Sequence, residues 1–151
     1  WIRRIKAAVQ IPVILNGDIV SPQTARAAFE ETGCDAVMIG RAAIRHPWLF
    51  REIHHHLETG ELLHEPTARE RAELCLHHLR LSVEHAGERY GIISMRRHFA
   101  GYFRSQRGAA QLRAQLSAFK ELEPLEARLQ QLASMPDDVE AAATVVDTAT
   151  A

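Results

Sequence analysis

Two short, wholly apolar stretches, Val13-Ile14-Leu15 and Ala36-Val37-Met38-Ile39, each run into a glycine-containing turn, Asn16-Gly17-Asp18 and Gly40-Arg41. Between them Ser21-Pro22 marks a helix start, with serine as N-cap and proline at the first helical position. That helix runs to about Thr32, and Gly33 is a natural residue just past its end. Strand, helix and strand with connections this short follow the grammar of a parallel α/β protein. Strands apolar at every position suit a parallel sheet covered on both faces. Upstream, Trp1, Ile2, Ile5 and Val9 recur at helical spacing, so residues 1–10 read as the end of a helix. Ile11-Pro12 breaks it, because proline lacks an N–H and restricts the residue before it.

From Trp48 onward the strands stop. Residues 48–59 read as one helix, with Gly60 and Pro66 marking a break. Thr67-Ala68-Arg69-Glu70 fits a capping box that opens a helix to about Ala86. Further helical segments are expected at 94–104, 109–120 and 124–133. Residues 136–151, rich in Asp, Ala and Thr, are expected to be a disordered tail. The fold class is thus α/β plus all-α, divided at 1–63, 64–135 and 136–151.

The 151 residues allow one ordinary domain or two small ones. With 46% hydrophobic and 25% charged residues, the balance is that of a soluble globular chain. Cys34 and Cys75 stand far apart without a CxxC, which favours a reducing cytoplasm. No apolar run approaches the ~18 residues of a membrane span, and no signal peptide is visible. The chain opens on Trp1, in mid-helix, so a piece of a longer protein is expected.

Strand C-termini in α/β folds are where ligands bind. Glycine there lets a ligand approach backbone amides, which can donate to phosphate oxygens. Arg41 adds a permanent charge with donors in a fork suited to phosphate. Arg41-Ala42-Ala43-Ile44 could start a short helix whose first N–H groups face the same anion. The plainer alternative makes Gly17 and Gly40 tight turns only, with Arg41 paired to an acid such as Asp18.

The stretch IPVILNGDIVSPQTARAAFEETGCDAVMIGRAAIRHPWLFREI, residues 11–53, resembles the C-terminal part of the barrel in tRNA-dihydrouridine synthases, notably the bacterial B-type branch. LETGELL and RRHFAGYFR further on are similar to that family's helical domain. The resemblance implies the last two strands and helices of a TIM barrel, followed by a helical tRNA-binding domain. It implies FMN as cofactor and NADPH as reductant, with uridine in tRNA reduced to dihydrouridine. Asn16, Gly17 and Asp18 match a flavin-contact segment, while Gly40 and Arg41 match the segment that holds the FMN phosphate. It also implies a cytoplasmic protein, monomeric at full length, whose catalytic cysteine precedes Trp1; this stretch alone would then be inactive. Cys34 and Cys75 are expected to be small buried residues rather than catalysts.

From Arg89 through Lys120 no acidic residue occurs, while Arg89, Arg96, Arg97, Arg104, Arg107, Arg113 and Lys120 are basic. On a continuous helix Arg97, Gly101 and Arg104 fall at i, i+4 and i+7, with Arg96 beside them. Arg96, Arg97, His98, Tyr102 and Arg104 are therefore candidate RNA contacts, charges for the backbone and rings for bases. Against this, Phe99 and Phe103 at i, i+4 suit a core-facing stripe, with only the arginines outside. His54-His55-His56, His64 and His77-His78 are expected on solvated helix surface, because adjacent helical residues point about 100° apart and no tetrahedral ligand set completes. No metal is expected.

Two other functions fit the residues. One is a different phosphate-binding TIM-barrel enzyme; the other is a noncatalytic RNA-binding module derived from such a barrel.

Overall fold

Asp35 pins the first strand before the sheet begins. Its carboxylate accepts from the Val13 N–H at 2.7 Å and from Lys6 Nζ at 2.7 and 2.8 Å. These contacts hold its pKa below the usual carboxylate range, the Lys6 hydrogen bond contributing most. Lys6 lies on α1 (Ile2–Ala8), so one carboxylate ties that helix to the start of both strands. The computed structural model describes residues 1–104 and 108–135. The chain divides into two units, Trp1–Glu65 and Pro66–Ala151.

In the first unit β1 (Ile14–Asn16) and β2 (Ala36–Met38) pair in parallel, with Leu15 opposite Val37 and Asn16 opposite Met38. They are joined by α2 (Pro22–Thr32), whose start is a reciprocal cap. The Thr24 N–H donates to Ser21 Oγ at 3.2 Å, and the Ser21 N–H donates to Thr24 Oγ1 at 3.0 Å. Gly33 ends the helix at φ 67°, a left-handed conformation that a Cβ would disfavour. After β2 come α3 (Arg41–Arg45) and α4 (Leu49–Thr59).

Side chains alternate across a strand, so Leu15 and Val37 share one face and Ile14, Asn16, Ala36 and Met38 the other. The first face packs on Ile19, Ala25, Leu49 and Ile53. Burial of Ile19, Leu49 and Ile53 contributes about 1.5–3 kcal/mol each. The second face carries Ile14 and Met38, which are 64% and 52% exposed.

The expected elements of this unit shift at their ends. The second strand stops at Met38 rather than Ile39, and the helix expected over 48–59 begins at Leu49, with Trp48 as its N-cap.

The second unit contains α5 (Ala68–Ala86), α6 (Glu88–Met95), α7 (Phe99–Tyr102), α8 (Ala109–Ala118) and α9 (Leu122–Ala133). The Thr67–Glu70 capping box forms: the Glu70 N–H donates to Thr67 Oγ1, and the Thr67 N–H to Glu70 Oε2. The core gathers Cys75, Leu79, Ile92, Met95, Phe99, Phe103, Leu116, Leu125 and Leu129, all at most 2% exposed.

Two expectations fail here. Helix α6 is absent from the elements expected of the sequence. It turns back on α5 at Gly91, where a Cβ would lie 2.7 Å from Val83 Cα. The single helix expected over 94–104 is broken. The His98 N–H donates to the Met95 carbonyl and the Arg96 N–H to Ile93, so i→i−3 bonds turn the chain between α6 and α7. The spacing of Arg97, Gly101 and Arg104 on one helix therefore does not apply. The helices expected over 109–120 and 124–133 span Ala109–Ala118 and Leu122–Ala133. Arg107 and the expected tail at 136–151 lie outside the described residues.

Candidate functional site

Parallel pairing puts the C-terminal ends of β1 and β2 side by side, so the two glycine-containing turns meet. Asn16, Gly17, Asp18, Gly40 and Arg41 all line one open pocket of about 530 Å³. Asn16 and Met38, register partners on the strand face turned away from α2 and α4, form part of its wall. At Gly40 an added Cβ would meet nothing within 4 Å, so the backbone there faces open space. Gly40 is the N-cap of α3, and the first N–H groups of a helix have no intrahelical acceptor.

Arg41 Nη2 donates to Asp18 Oδ1 at 3.1 Å, and both side chains are almost wholly exposed, at 90% and 86%. The plainer pairing weighed from the sequence is therefore present. It is a weak tie, because exposed ion pairs contribute about 0–1 kcal/mol. Arg45 lines the pocket as well. Sequence reasoning misses it, although it sits four residues after Arg41 on α3, the spacing that puts two side chains on one helix face.

The fit of this pocket to a phosphorylated cofactor rests on its donors. Two guanidinium groups and an open glycine backbone suit phosphate, and the volume falls in the range of small-molecule sites. Met38 and Val20 supply apolar wall for a ring.

The second unit places the RNA candidates unequally. Arg96, Arg97 and Arg104 are exposed. Among the described residues no carboxylate pairs with them. Tyr102 is corrected: at 2% exposure its ring cannot stack on a base. Its hydroxyl lies 3.0 Å from His78 Nδ1, and burial followed by Cys75 pushes its pKa up. Phe99 and Phe103 are core, as the helical stripe suggested.

His98 is half-buried, its ring edge-on to His78 with centroids 4.7 Å apart. Arg97 Nε donates to His98 Nε2 at 3.1 Å. Arginine can only donate, so that nitrogen carries no proton and His98 is neutral. Burial lowers both histidine pKa values. His77 and Arg97 add to the effect at His78, and His78 and Arg97 at His98.

The histidines are not uniformly solvated as expected. His56 is buried, accepting from Arg26 Nε at 3.2 Å while its Nδ1 meets the Glu61 carbonyl at 3.1 Å. His54, His64 and His77 are exposed. Among the described residues no three His, Cys, Asp or Glu side chains gather as metal ligands. Cys34 and Cys75 are buried, and burial pushes the Cys75 thiol up. Among the described residues no helix is long and apolar enough to cross a membrane.

The family model for dihydrouridine synthase (Dus) matches residues 1–142 of this chain. The chain is 44% identical over 117 residues to tRNA-dihydrouridine synthase B of Pseudomonas putida, a match covering 78% of this chain and 35% of that protein. It is 42% identical over 136 residues to tRNA-dihydrouridine synthase B of Pectobacterium carotovorum, covering 87% and 42%. A probable tRNA-dihydrouridine synthase 1 of Synechocystis is 44% identical over 116 residues, covering 77% and 32%. The chain thus spans roughly a third to two fifths of the length of these curated relatives.

Proposed function

We propose that this chain, which belongs to the dihydrouridine synthase family, supplies the FMN-phosphate site and a tRNA-binding helical part of a tRNA-dihydrouridine synthase. The whole protein reduces uridine in tRNA to dihydrouridine, with NADPH as the reductant. It acts in the cytoplasm as a monomer. Residues 1–63 are the last two strands and helices of its TIM barrel, and 64–135 its tRNA-binding domain.

The observation that carries the reading is the meeting of the two strand-end turns on one pocket with Arg41 and Arg45. Arg41 exchanges its exposed Asp18 partner for the phosphate, a swap that costs little because the pair contributes little. Arg45 adds a second cation, and the open Gly40 backbone lets the phosphate approach the amides at the start of α3. Asn16 and Met38 face the flavin side of the pocket. FMN, when bound, supplies hydride transfer to the uracil ring. The exposed strand face of Ile14 and Met38 is the barrel's inward face, which explains apolar side chains left in water here.

The experiment is paired. The purified whole protein should be yellow with flavin absorbance, and tRNA from a strain lacking it should lose dihydrouridine. A colourless protein and unaltered tRNA would overturn the reading.

A further inference from the structure

With Tyr102 buried, the basic region needs another ring if it is to hold an unpaired base, and α6 presents one. Tyr90 is 66% exposed. On α6 the residues Gly91, Ile92 and Met95 are buried, so that stripe faces the core of the unit. Arg89, Tyr90 and Ile93 are exposed, and Arg96 follows with its backbone still helical at φ −55°, ψ −40°. At about 100° per residue, Arg89, Tyr90, Ile93 and Arg96 fall within roughly one third of the helix circumference, and the exposed Arg97 follows in the turn. One face therefore carries two guanidinium groups beside an aromatic ring, with a third in the turn just beyond it.

Among the described residues no carboxylate pairs with Arg89, Arg96 or Arg97. The helix's own acid, Glu88, accepts from the Leu122 N–H at 2.8 Å and is occupied. No acidic residue follows until Glu121. An apolar protein partner would have to bury these cations, whereas a polyanion satisfies them.

We propose that Tyr90 stacks on an unpaired base of a bound RNA while Arg89, Arg96 and Arg97 hold the flanking phosphates. This rests on the tRNA reading above and deepens it by naming the ring and the kind of RNA segment. A base must be out of a duplex to offer its face to a ring, so the surface selects loops or ends over paired RNA. Stacking is also tolerant of base identity, because every base has a π-face.

The test titrates unmodified tRNA transcript and a perfect RNA duplex against the whole protein and its Tyr90→Ala, Tyr90→Phe and Arg89→Ala variants. Tyr90→Ala should weaken tRNA binding by about tenfold, with Tyr90→Phe close to wild type and the salt dependence unchanged. Duplex binding should not respond to Tyr90. Arg89→Ala should weaken both RNAs and flatten the salt dependence. Because Tyr90 is exposed, matched melting temperatures will show that the variants are folded. If the wild type binds tRNA and Tyr90→Ala binds it equally well, the stacking role is wrong and the tRNA reading survives. A Tyr90→Ala loss that is equal on the duplex also overturns stacking. A wild type that binds neither RNA overturns both.

Discussion

Arg41 Nη2 lies 3.1 Å from Asp18 Oδ1, joining the turn after the first strand to the turn after the second. Both groups stand in water, so the pair positions the guanidinium without holding it. Replacing Asp18 by Asn should therefore change stability by no more than about 1 kcal/mol in urea unfolding. A larger loss would make the pair a structural tie and weaken its role as an exchangeable partner for phosphate.

Gly91 is where α6 meets the backbone of α5, its missing Cβ 2.7 Å from Val83 Cα and 2.8 Å from Val83 N. Alanine there would gain about 1 kcal/mol of helix propensity in isolation. Backbone cannot move aside as a side-chain tip can, and overpacking of this kind costs about 1–3 kcal/mol. Gly91→Ala should lower the melting temperature. An unchanged or raised value would mean that the two helices separate easily.

His78 and His98 have lowered pKa values in the folded chain, with burial the first cause at both. The unfolded chain takes up protons near the usual value of about 6.5 that the native rings refuse. Their contribution to stability is thus complete above about pH 6.5 and is lost as pH falls below it. Urea midpoints should drop between pH 7.5 and 5.5, and His78→Asn should reduce that drop. Equal pH dependence in the variant would place the titration elsewhere.

Arg96 and Arg97 occupy the turn between α6 and α7 with their side chains exposed. Replacing both with alanine should weaken tRNA binding and reduce the slope of log affinity against log salt by about 0.7–0.9 for each phosphate no longer neutralised. Affinities matching the wild type at several salt concentrations would remove this turn from the RNA surface.

Local chemistry makes much of the fold legible. Ser21-Pro22 and Gly33 bound α2, and Thr67 with Glu70 starts α5, because caps are written in a few adjacent residues. The two strand-end turns are legible for the same reason. Helix α6 is not, since glycine is a poor helix former and only packing against Val83 makes Gly91 the right residue. Tyr102 looks available from sequence because Arg97 to Arg104 has helical spacing, while the i→i−3 bonds at Met95–His98 redirect the chain. Tyr90 is detectable from its place beside Arg89, seven residues before Arg97.

The central claim is that the turns after the two strands hold the phosphate of FMN through Arg41. The direct measurement is flavin affinity of the whole protein, by fluorescence titration with FMN and with riboflavin, for wild type and Arg41→Ala. A lost charge-assisted bond is worth about 1.5–3 kcal/mol, so FMN affinity should fall at least about tenfold while riboflavin affinity stays the same. Equal losses for both flavins, or none for FMN, would contradict the account.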